Sequence, residues 1–394
     1  MIKNKATLYF LFFWGLIVSS FAQNDSSKIK SQLDLKIDSM RVAFNFPAVA
    51  YGVIRNDSII ALNVLGYRDI ETKEKAQITD YFHIGSCTKS FTAFLAASLV
   101  EKDLIDWNTK FFDLYPELKE YSKPAYYTIT LQELLSHRAR MIAFKVDPEV
   151  GTLIAKYEKD SSEGLSNREK RYQLMKQLLQ QEPRPVYEEC EDHCYSNAGF
   201  VAAGMMLEKV ANKSWEDLML ELSDNLNLDL RIGVPVDYSP SQPKGHINPK
   251  YWFLDIDKDL VPISDQLRMY HNFNQFGLLT APGGNISMKT EKFLKYLSLH
   301  LQGLQGKDNY LKSETYQHIF TTFSTYSHGW WVDKIDGHVE YAHRGSNGTF
   351  YSFEGLFPKR NLGIVVMVNS YSENGLTEII QEINEAYKEE IIEK

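Results

Sequence analysis

The chain has 394 residues, a formal net charge of −8 at pH 7, and contents of 44% hydrophobic and 24% charged residues. This is the composition of a globular protein long enough to bury a core, and its 23 tyrosines and 22 phenylalanines argue against disorder. The acidic charge, with no basic stripe, zinc finger or glycine-rich phosphate loop, argues against nucleic acid or an anionic membrane as a partner.

The N-terminal stretch has the pattern of an export signal. A positively charged start precedes an uncharged apolar run from Leu8 to Val18, and small residues follow up to Ala22. The run is short for a membrane span, so cleavage after Ala22 is favoured over an uncleaved anchor. We expect residues 1–22 to be a signal peptide and residues 23–394 to be periplasmic or secreted, without membrane contact after cleavage.

Helical and β-type patterns alternate after the signal. Two β-rich runs that turn at Asn56-Asp57 predict a hairpin, and an apolar helix is expected after Ser86. The charged segment from Lys145 to Pro185 resembles a solvated surface excursion. A helix before the hairpin places four apolar side chains on one face: Ile29, Leu33, Ile37 and Met40.

The last third of the chain has a different character. Four short β-rich runs after Gly329, separated by turn residues, predict an antiparallel meander. A closing helix places its apolar side chains on one face: Leu376, Ile379, Ile380, Ile383 and Tyr387.

Strands at both ends with helices between them predict an α+β fold, in which helices flank an antiparallel sheet and a mainly helical domain is inserted. The expected sheet part is about 23–85 and 281–394. The expected helical part is about 86–280.

The stretch HIGSCTKSFTAF places Ser86 at the start of the apolar helix and Lys89 one turn later on the same side. Free N–H groups at a helix N-terminus surround such a serine, and desolvation lowers the pKa of a lysine so that it can accept a proton. In the structural alternative, Ser86 caps the helix and Lys89 snorkels outward. Because Ser-x-x-Lys also occurs at Ser27 and Ser241, the spacing alone does not decide.

Two later motifs add context. Tyr195 and Asn197 precede another helix, where a tyrosine can relay a proton and an asparagine can hold a substrate carbonyl. A β-run then ends in His343-Arg344-Gly345, where glycine lets a substrate lie close and the N–H of Ser346 can contribute to an oxyanion hole. Taken singly, these motifs fit an ordinary loop and an ordinary hairpin end.

The order of the three motifs resembles that of the serine β-lactamase and penicillin-binding protein superfamily, most closely its class C β-lactamase-like branch. The resemblance covers most of the mature chain, including ITLQELLSH, YSNAGFVAAGMMLEKV and APGGNISMKTEKFLKYL. It implies a β-lactamase/DD-peptidase-like fold and acyl transfer without a metal or organic cofactor.

The same resemblance implies a role for each motif residue. Ser86 would be the nucleophile, and Lys89 and Tyr195 would share the acid and base work. Asn197 would orient the substrate, and the N–H groups of Ser86 and Ser346 would stabilise the oxyanion. In the third motif, His343 and Gly345 would border the substrate.

The chain departs from the family pattern at two places. His343 replaces the lysine usual in true β-lactamases, which favours an esterase or peptidase because an imidazole binds a carboxylate less firmly than an ammonium group. Arg138-Ala139-Arg140 replaces the usual Thr-Ser-Gly, which predicts a different turn. The two arginines are either solvated or an anchor for an acidic substrate group, and the solvated interpretation is favoured.

The cysteines offer a further feature. Cys190 and Cys194 can form a disulfide in an exported protein, and a metal site with His193 is the weaker alternative because no second ligand pair exists. Cys87 is then a free, small, buried residue.

The sequence thus predicts an exported serine hydrolase acting through an acyl-enzyme on a small ester, amide or D-amino-acid peptide. The alternatives are a true β-lactamase or DD-carboxypeptidase, and a non-catalytic module that binds peptidoglycan peptides. An α/β-hydrolase lacks support because no Gly-x-Ser-x-Gly elbow is present.

Overall fold

The computed structural model describes residues 30–145, 164–185, 192–249, 258–264, 277–335 and 337–388. The expected signal peptide therefore lies outside the described residues. Within these ranges, none of the helices combines the length and the apolar character needed to cross a bilayer.

The helices are, in chain order, α1 (30–43), α2 (Thr88–Glu101), α3 (Phe111–Leu114), α4 (Leu131–Leu135), α5 (Asn167–Leu178), α6 (Asn197–Ala211), α7 (Trp215–Leu226), α8 (Ala281–Gly284), α9 (Thr290–Leu304), α10 (Ser313–Thr321) and α11 (Glu373–Ala386). The strands are β1 (Ala48–Arg55), β2 (Ser58–Gly66), β3 (Phe82–His83), β4 (Arg231–Ile232), β5 (His246–Ile247), β6 (Val261–Pro262), β7 (Ile286–Met288), β8 (Tyr326–Ser327), β9 (Trp330–Ile335), β10 (His338–Ser346), β11 (Tyr351–Phe357) and β12 (Leu362–Val368).

The main sheet has seven antiparallel strands in the order β2-β1-β12-β11-β10-β9-β8. Asn56 and Asp57 form the β1–β2 turn with φ of 47° and 66°, a left-handed conformation that these two residue types tolerate. The predicted hairpin and meander are both confirmed. Because β1, β11 and β12 are buried along their whole length, both faces of the sheet must be covered.

Helices cover both faces. On one side α9 packs against β1 and β12. On the other, Leu33 and Ile37 of α1 and Leu376 and Ile379 of α11 form a second apolar cluster with the sheet. The confirmed fold class, an antiparallel sheet flanked by helices, follows from these two layers.

Helix α2 lies in the middle of the larger core. Its residues from Thr88 to Leu99 are all buried, and it contacts α6, α7, α8 and α10. The short sheet β3-β7-β4 ties the chain just before α2 to β7. This packing fixes the position of the N-terminus of α2 relative to the neighbouring helices and β7.

The expectation of a solvated excursion is wrong for the part of that segment in α5, whose Leu174, Met175 and Leu178 are buried in the larger core. Arg171 is also buried, and its guanidinium pairs with Glu208 and, at 2.7 Å, with Glu216. The many charged residues of α5 made the segment look solvated in the sequence, although one face of the helix is apolar.

Candidate active site

The start of α2 brings Ser86 and Lys89 together. A 3-10 turn, Gly85–Cys87, leads directly into α2, with Gly85 at φ +50°. This turn and the first turn of α2 place Lys89 Nζ 3.1 Å from Ser86 Oγ. The sequence prediction that the two side chains share one side of the helix is therefore met.

Lys89 is enclosed rather than extended into solvent, with no exposed surface. Its Nζ also lies 2.7 Å from Asn197 Oδ1 and 2.6 Å from the carbonyl oxygen of Gly283. Burial lowers the pKa of Lys89 well below its usual value, and the charge of Lys145 acts in the same direction. The alternative of an outward lysine is wrong.

Tyr195 and Asn197 join the same centre from the start of α6. Ser196 caps α6 by accepting a hydrogen bond from the N–H of Gly199, which holds the two flanking side chains toward Lys89. Lys89 Nζ lies 4.8 Å from the centroid of the Tyr195 ring. Burial raises the pKa of Tyr195, and hydrogen bonding with Ser86 opposes that shift.

Strand β10 passes unusually close to the Ser86 turn at Gly345. A methyl group on Gly345 would lie 1.9 Å from the carbonyl oxygen of Ile84 and 2.6 Å from the backbone nitrogen of Ser86. One on Gly85 would lie 2.3 Å from the backbone nitrogen of Ser346. Only glycine allows this approach, which packs the backbone of β10 around Ser346 directly against the Ser86 turn.

His343 is buried behind this surface, and both its nitrogens are engaged. Nδ1 donates to the carbonyl oxygen of Arg344 at 2.7 Å, so Nε2 accepts from the hydroxyl of Tyr326 at 3.0 Å. Burial lowers the pKa of His343 to about 3, with the charge of Lys89 acting in the same direction. His343 is therefore a neutral imidazole at neutral pH.

A cavity of about 730 Å³ opens in front of these residues. Ser86, Tyr195, Asn197 and Ser346 line it, together with apolar side chains such as Phe350. Its size suits a small organic substrate. The structure thus brings the three sequence motifs to one cavity.

Two positioning groups were missed in the sequence. The Gly283 carbonyl carries no side-chain signal, although the quoted APGGN stretch contains it. His137 ends the quoted LLSH stretch, accepts a hydrogen bond from the N–H of Ser196 at 3.1 Å, and packs 4.3 Å from the ring of Tyr195. Burial lowers the pKa of His137 well below its usual value, so it supports Tyr195 as a neutral ring.

The two arginines after LLSH do not line the cavity. Arg138 donates to the carbonyl oxygen of Tyr326 at 2.8 Å and pairs with Asp192 at 2.7 Å. Arg140 donates to the carbonyl oxygen of Arg184 at 2.7 Å. Arg140 also has a φ of +55°, so the residue at the expected glycine position keeps the left-handed backbone that glycine adopts freely.

The cysteines divide as follows. Cys87 is a buried free thiol, and Cys194 is disulfide-bonded. Cys190, its predicted partner, lies outside the described residues. No group of three or more potential metal ligands occurs within the described ranges.

Comparison with known proteins finds similarity over most of the chain. The family model described as Beta-lactamase matches residues 34–386. Protein flp of Staphylococcus aureus strain MW2 is 22% identical over 360 residues, which cover 89% of this chain and 64% of that relative. The chain thus spans 64% of the length of this curated relative.

Solved structures of low identity share the fold. A D-amino acid amidase from Ochrobactrum anthropi SV3, complexed with L-phenylalanine, has a TM-score of 0.69 and 18% identity, over 93% of this chain and 99% of that one. The octameric penicillin-binding protein homologue from Pyrococcus abyssi has a TM-score of 0.67 and 18% identity, over 92% and 79%. A β-lactamase from Sulfitobacter sp. EE-36 has a TM-score of 0.67 and 17% identity, over 91% and 97%.

Proposed function

The chain belongs to the beta-lactamase family, and we propose that it is a serine hydrolase that forms a covalent acyl-enzyme on Ser86. One observation carries this proposal: a buried lysine amine of lowered pKa lies 3.1 Å from the Ser86 hydroxyl oxygen. A serine hydroxyl is a weak nucleophile unless an adjacent base removes its proton.

The surroundings of Lys89 suit it to be that base. A neutral amine has two N–H bonds and one lone pair. The carboxamide oxygen of Asn197 and the carbonyl oxygen of Gly283 can each accept a hydrogen bond from one of these N–H groups. The lone pair is then left to accept the proton of Ser86 as its oxygen attacks the substrate carbonyl carbon.

Tyr195 completes the proton path as a neutral phenol. Its raised pKa means that it holds its proton at neutral pH, and it interacts with the Ser86 oxygen. We assign it the relay that returns the proton taken by Lys89 to the leaving group. Water then attacks the acyl-enzyme, and the same groups act in reverse to free Ser86.

The close approach of β10 to the Ser86 turn at Gly345 supplies the electrostatic stabilisation of the transition state. We assign the oxyanion hole to the backbone N–H groups of Ser86 and Ser346, which belong to the two segments that meet at this approach. Such a donor is worth about 3–4 kcal/mol of transition-state stabilisation.

The chemistry of His343 favours an ester or amide, including D-amino-acid amides and peptides, over a β-lactam. A neutral imidazole with both nitrogens engaged offers no positive charge to a substrate carboxylate. The fold shared with a D-amino acid amidase is compatible with such a substrate.

A hydrolysis panel tests the proposal: 4-nitrophenyl esters, nitrocefin and D-amino-acid amides, with Ser86→Ala as the control. We expect ester or amide hydrolysis and labelling by a fluorophosphonate, both lost in Ser86→Ala. A wild-type protein that neither turns over nor becomes labelled would instead support a non-catalytic peptide-binding module.

Export is proposed as well, on the pattern of residues 1–22. N-terminal sequencing of the protein recovered from the periplasm or medium is expected to begin at Gln23. Recovery of the uncleaved chain in the cytoplasm would contradict it.

A further inference from the structure

The described residues that line the cavity carry a net charge opposite in sign to that of the whole chain. The whole chain is acidic, with a net charge of −8. Among the described lining residues, the charged ones are the cations Lys145 and Arg344 and the carboxylate Asp237. His343, which lies behind the wall, is a neutral imidazole at neutral pH, and burial lowers the pKa of Lys89 well below its usual value. Lys145 and Arg344 are therefore the two cations that a ligand meets on the described wall of this cavity.

Lys145 is held beside the catalytic loop by backbone contacts. The backbone N–H of Asn197 donates to the carbonyl oxygen of Ala143 at 2.8 Å, and its side-chain amide donates to that of Phe144 at 3.0 Å. Phe144 has a φ of +49°, a left-handed conformation that is unfavourable for a bulky residue. The chain accepts this strain immediately before Lys145, whose ammonium nitrogen lies 5.7 Å from the centroid of the Tyr195 ring.

The Lys145 ammonium group has no close anionic partner among the residues that the structure describes. Within the described ranges, no carboxylate forms an ion pair with it, although the side chain lines the cavity. Arg344, by contrast, donates to the Thr377 hydroxyl at 2.9 Å and has the carboxylate of Glu373 at 4.0 Å. Of these two cations, Lys145 is the one whose charge remains available to a ligand.

We propose that Lys145 recognises an anionic group, namely a carboxylate, on the substrate, and holds it beside Tyr195 and Asn197. The inference rests on the proposed function because it names the substrate class of the same cavity. In this account Lys145 offers the substrate carboxylate the positive charge that the neutral His343 does not. Lys145 is a binding residue in this account, since the proton transfers belong to Lys89 and Tyr195.

Two substrate pairs of matched shape test the proposal. The first varies charge on the acyl side: mono-4-nitrophenyl adipate against 4-nitrophenyl hexanoate. The second varies it on the leaving group: 4-acetoxybenzoate against its methyl ester. For each pair the measured quantity is the ratio of kcat/KM for the anionic member to that for the neutral member, after subtraction of spontaneous hydrolysis.

We expect this ratio to fall roughly fivefold in Lys145→Gln for at least one pair, the effect of an ion pair worth about 1 kcal/mol. Lys145→Arg should retain the ratio. So should Lys307→Gln, which removes an exposed lysine outside the cavity. The responding pair identifies which half of the substrate carries the anion. An unchanged ratio in Lys145→Gln for both pairs, or a loss seen only in Arg344→Gln, overturns the proposal.

A binding measurement separates this inference from the proposed function. Calorimetry with Ser86→Ala compares adipic acid monoanilide with hexananilide, independently of turnover. The acid should bind more tightly, and adding Lys145→Gln should remove the difference. Equal binding of the two ligands overturns the anion site even if the wild type hydrolyses neutral esters. Failure of all hydrolysis would instead count against the proposed function alone.

Discussion

Gly345→Ala is the most direct perturbation of the proposed active site, because it adds one methyl group where two backbone segments touch. That methyl would lie 1.9 Å from the carbonyl oxygen of Ile84, 2.6 Å from the nitrogen of Ser86 and 2.7 Å from that of Cys87. All three atoms belong to backbone, so no side chain can rotate away. The Ser86 turn and β10 must separate by roughly 1.5 Å to restore van der Waals contact.

This separation acts on the oxyanion donors and the nucleophile together. A misplacement of about 1 Å costs on the order of 100-fold in rate, and loss of one oxyanion donor costs about 100- to 1,000-fold in kcat. Overpacking of a close-packed interior costs about 1–3 kcal/mol of unfolding free energy. We therefore expect kcat for the best ester to fall at least about 100-fold in a protein that still folds.

The assay is ester hydrolysis with the unfolding free energy measured in parallel. Gly284→Ala is the matched control, since its added methyl would lie 3.8 Å from the carbonyl carbon of Gly85, its nearest non-adjacent neighbour. It should change kcat by no more than about threefold, because 3.8 Å is ordinary van der Waals contact. A folded Gly345→Ala enzyme with wild-type kcat would refute the proposed role of this close approach.

The remaining predictions concern buried ionisable groups. The acid limb of the pH profile of kcat/KM reports the pKa of Lys89 and should lie below the ordinary lysine pKa of about 10.4. Lys145→Gln should move this limb to higher pH, because removal of a nearby positive charge favours protonated Lys89. An unmoved limb, or one at lower pH, would contradict this prediction. Burial raises the pKa of Glu354 in the folded protein well above its usual value. The contribution of Glu354 to the free energy of unfolding is therefore lost as the pH rises from its pKa in the unfolded chain, about 4.3, toward its pKa in the folded protein. Relative to wild type, Glu354→Gln should therefore gain up to about 1.4 kcal/mol of unfolding free energy per pH unit in this window, as measured by urea unfolding at pH 5 and pH 6.5. The control Glu314→Gln, which changes an exposed glutamate, should gain nothing. If Glu354→Gln differed from wild type by the same amount at both pH values, this prediction would be wrong. Arg171→Met should cost about 3–5 kcal/mol by leaving a buried carboxylate without its partner, and a loss below about 1 kcal/mol would mean that the pair is not needed.

Much of the fold could be predicted from local sequence. Asn56-Asp57 suits the left-handed turn of the first hairpin, and alternating β-rich runs after Gly329 became β9 to β12. The nucleophile candidate could also be found, because a serine and a lysine three residues apart on a helix must share one side. These features depend on backbone preference and on residues close in sequence.

Other features depended on contacts that no local pattern contains. Nearly 200 residues separate Lys89 from Gly283, whose backbone carbonyl has no side-chain signature, and α5 hid its buried face among charges. Arg140 shows a related limit, since its surroundings hold a left-handed backbone that its residue type disfavours.

The sequence by itself determined which residues can react and which segments become helices and strands, because side-chain chemistry and backbone preference are local. Only the tertiary structure decided that Lys89 is buried and that β10 touches the Ser86 turn. It also decided that Lys145 faces the cavity. The pKa of a lysine, the position of an oxyanion and the charge of a pocket depend on what distant segments exclude water and bring within a few ångströms.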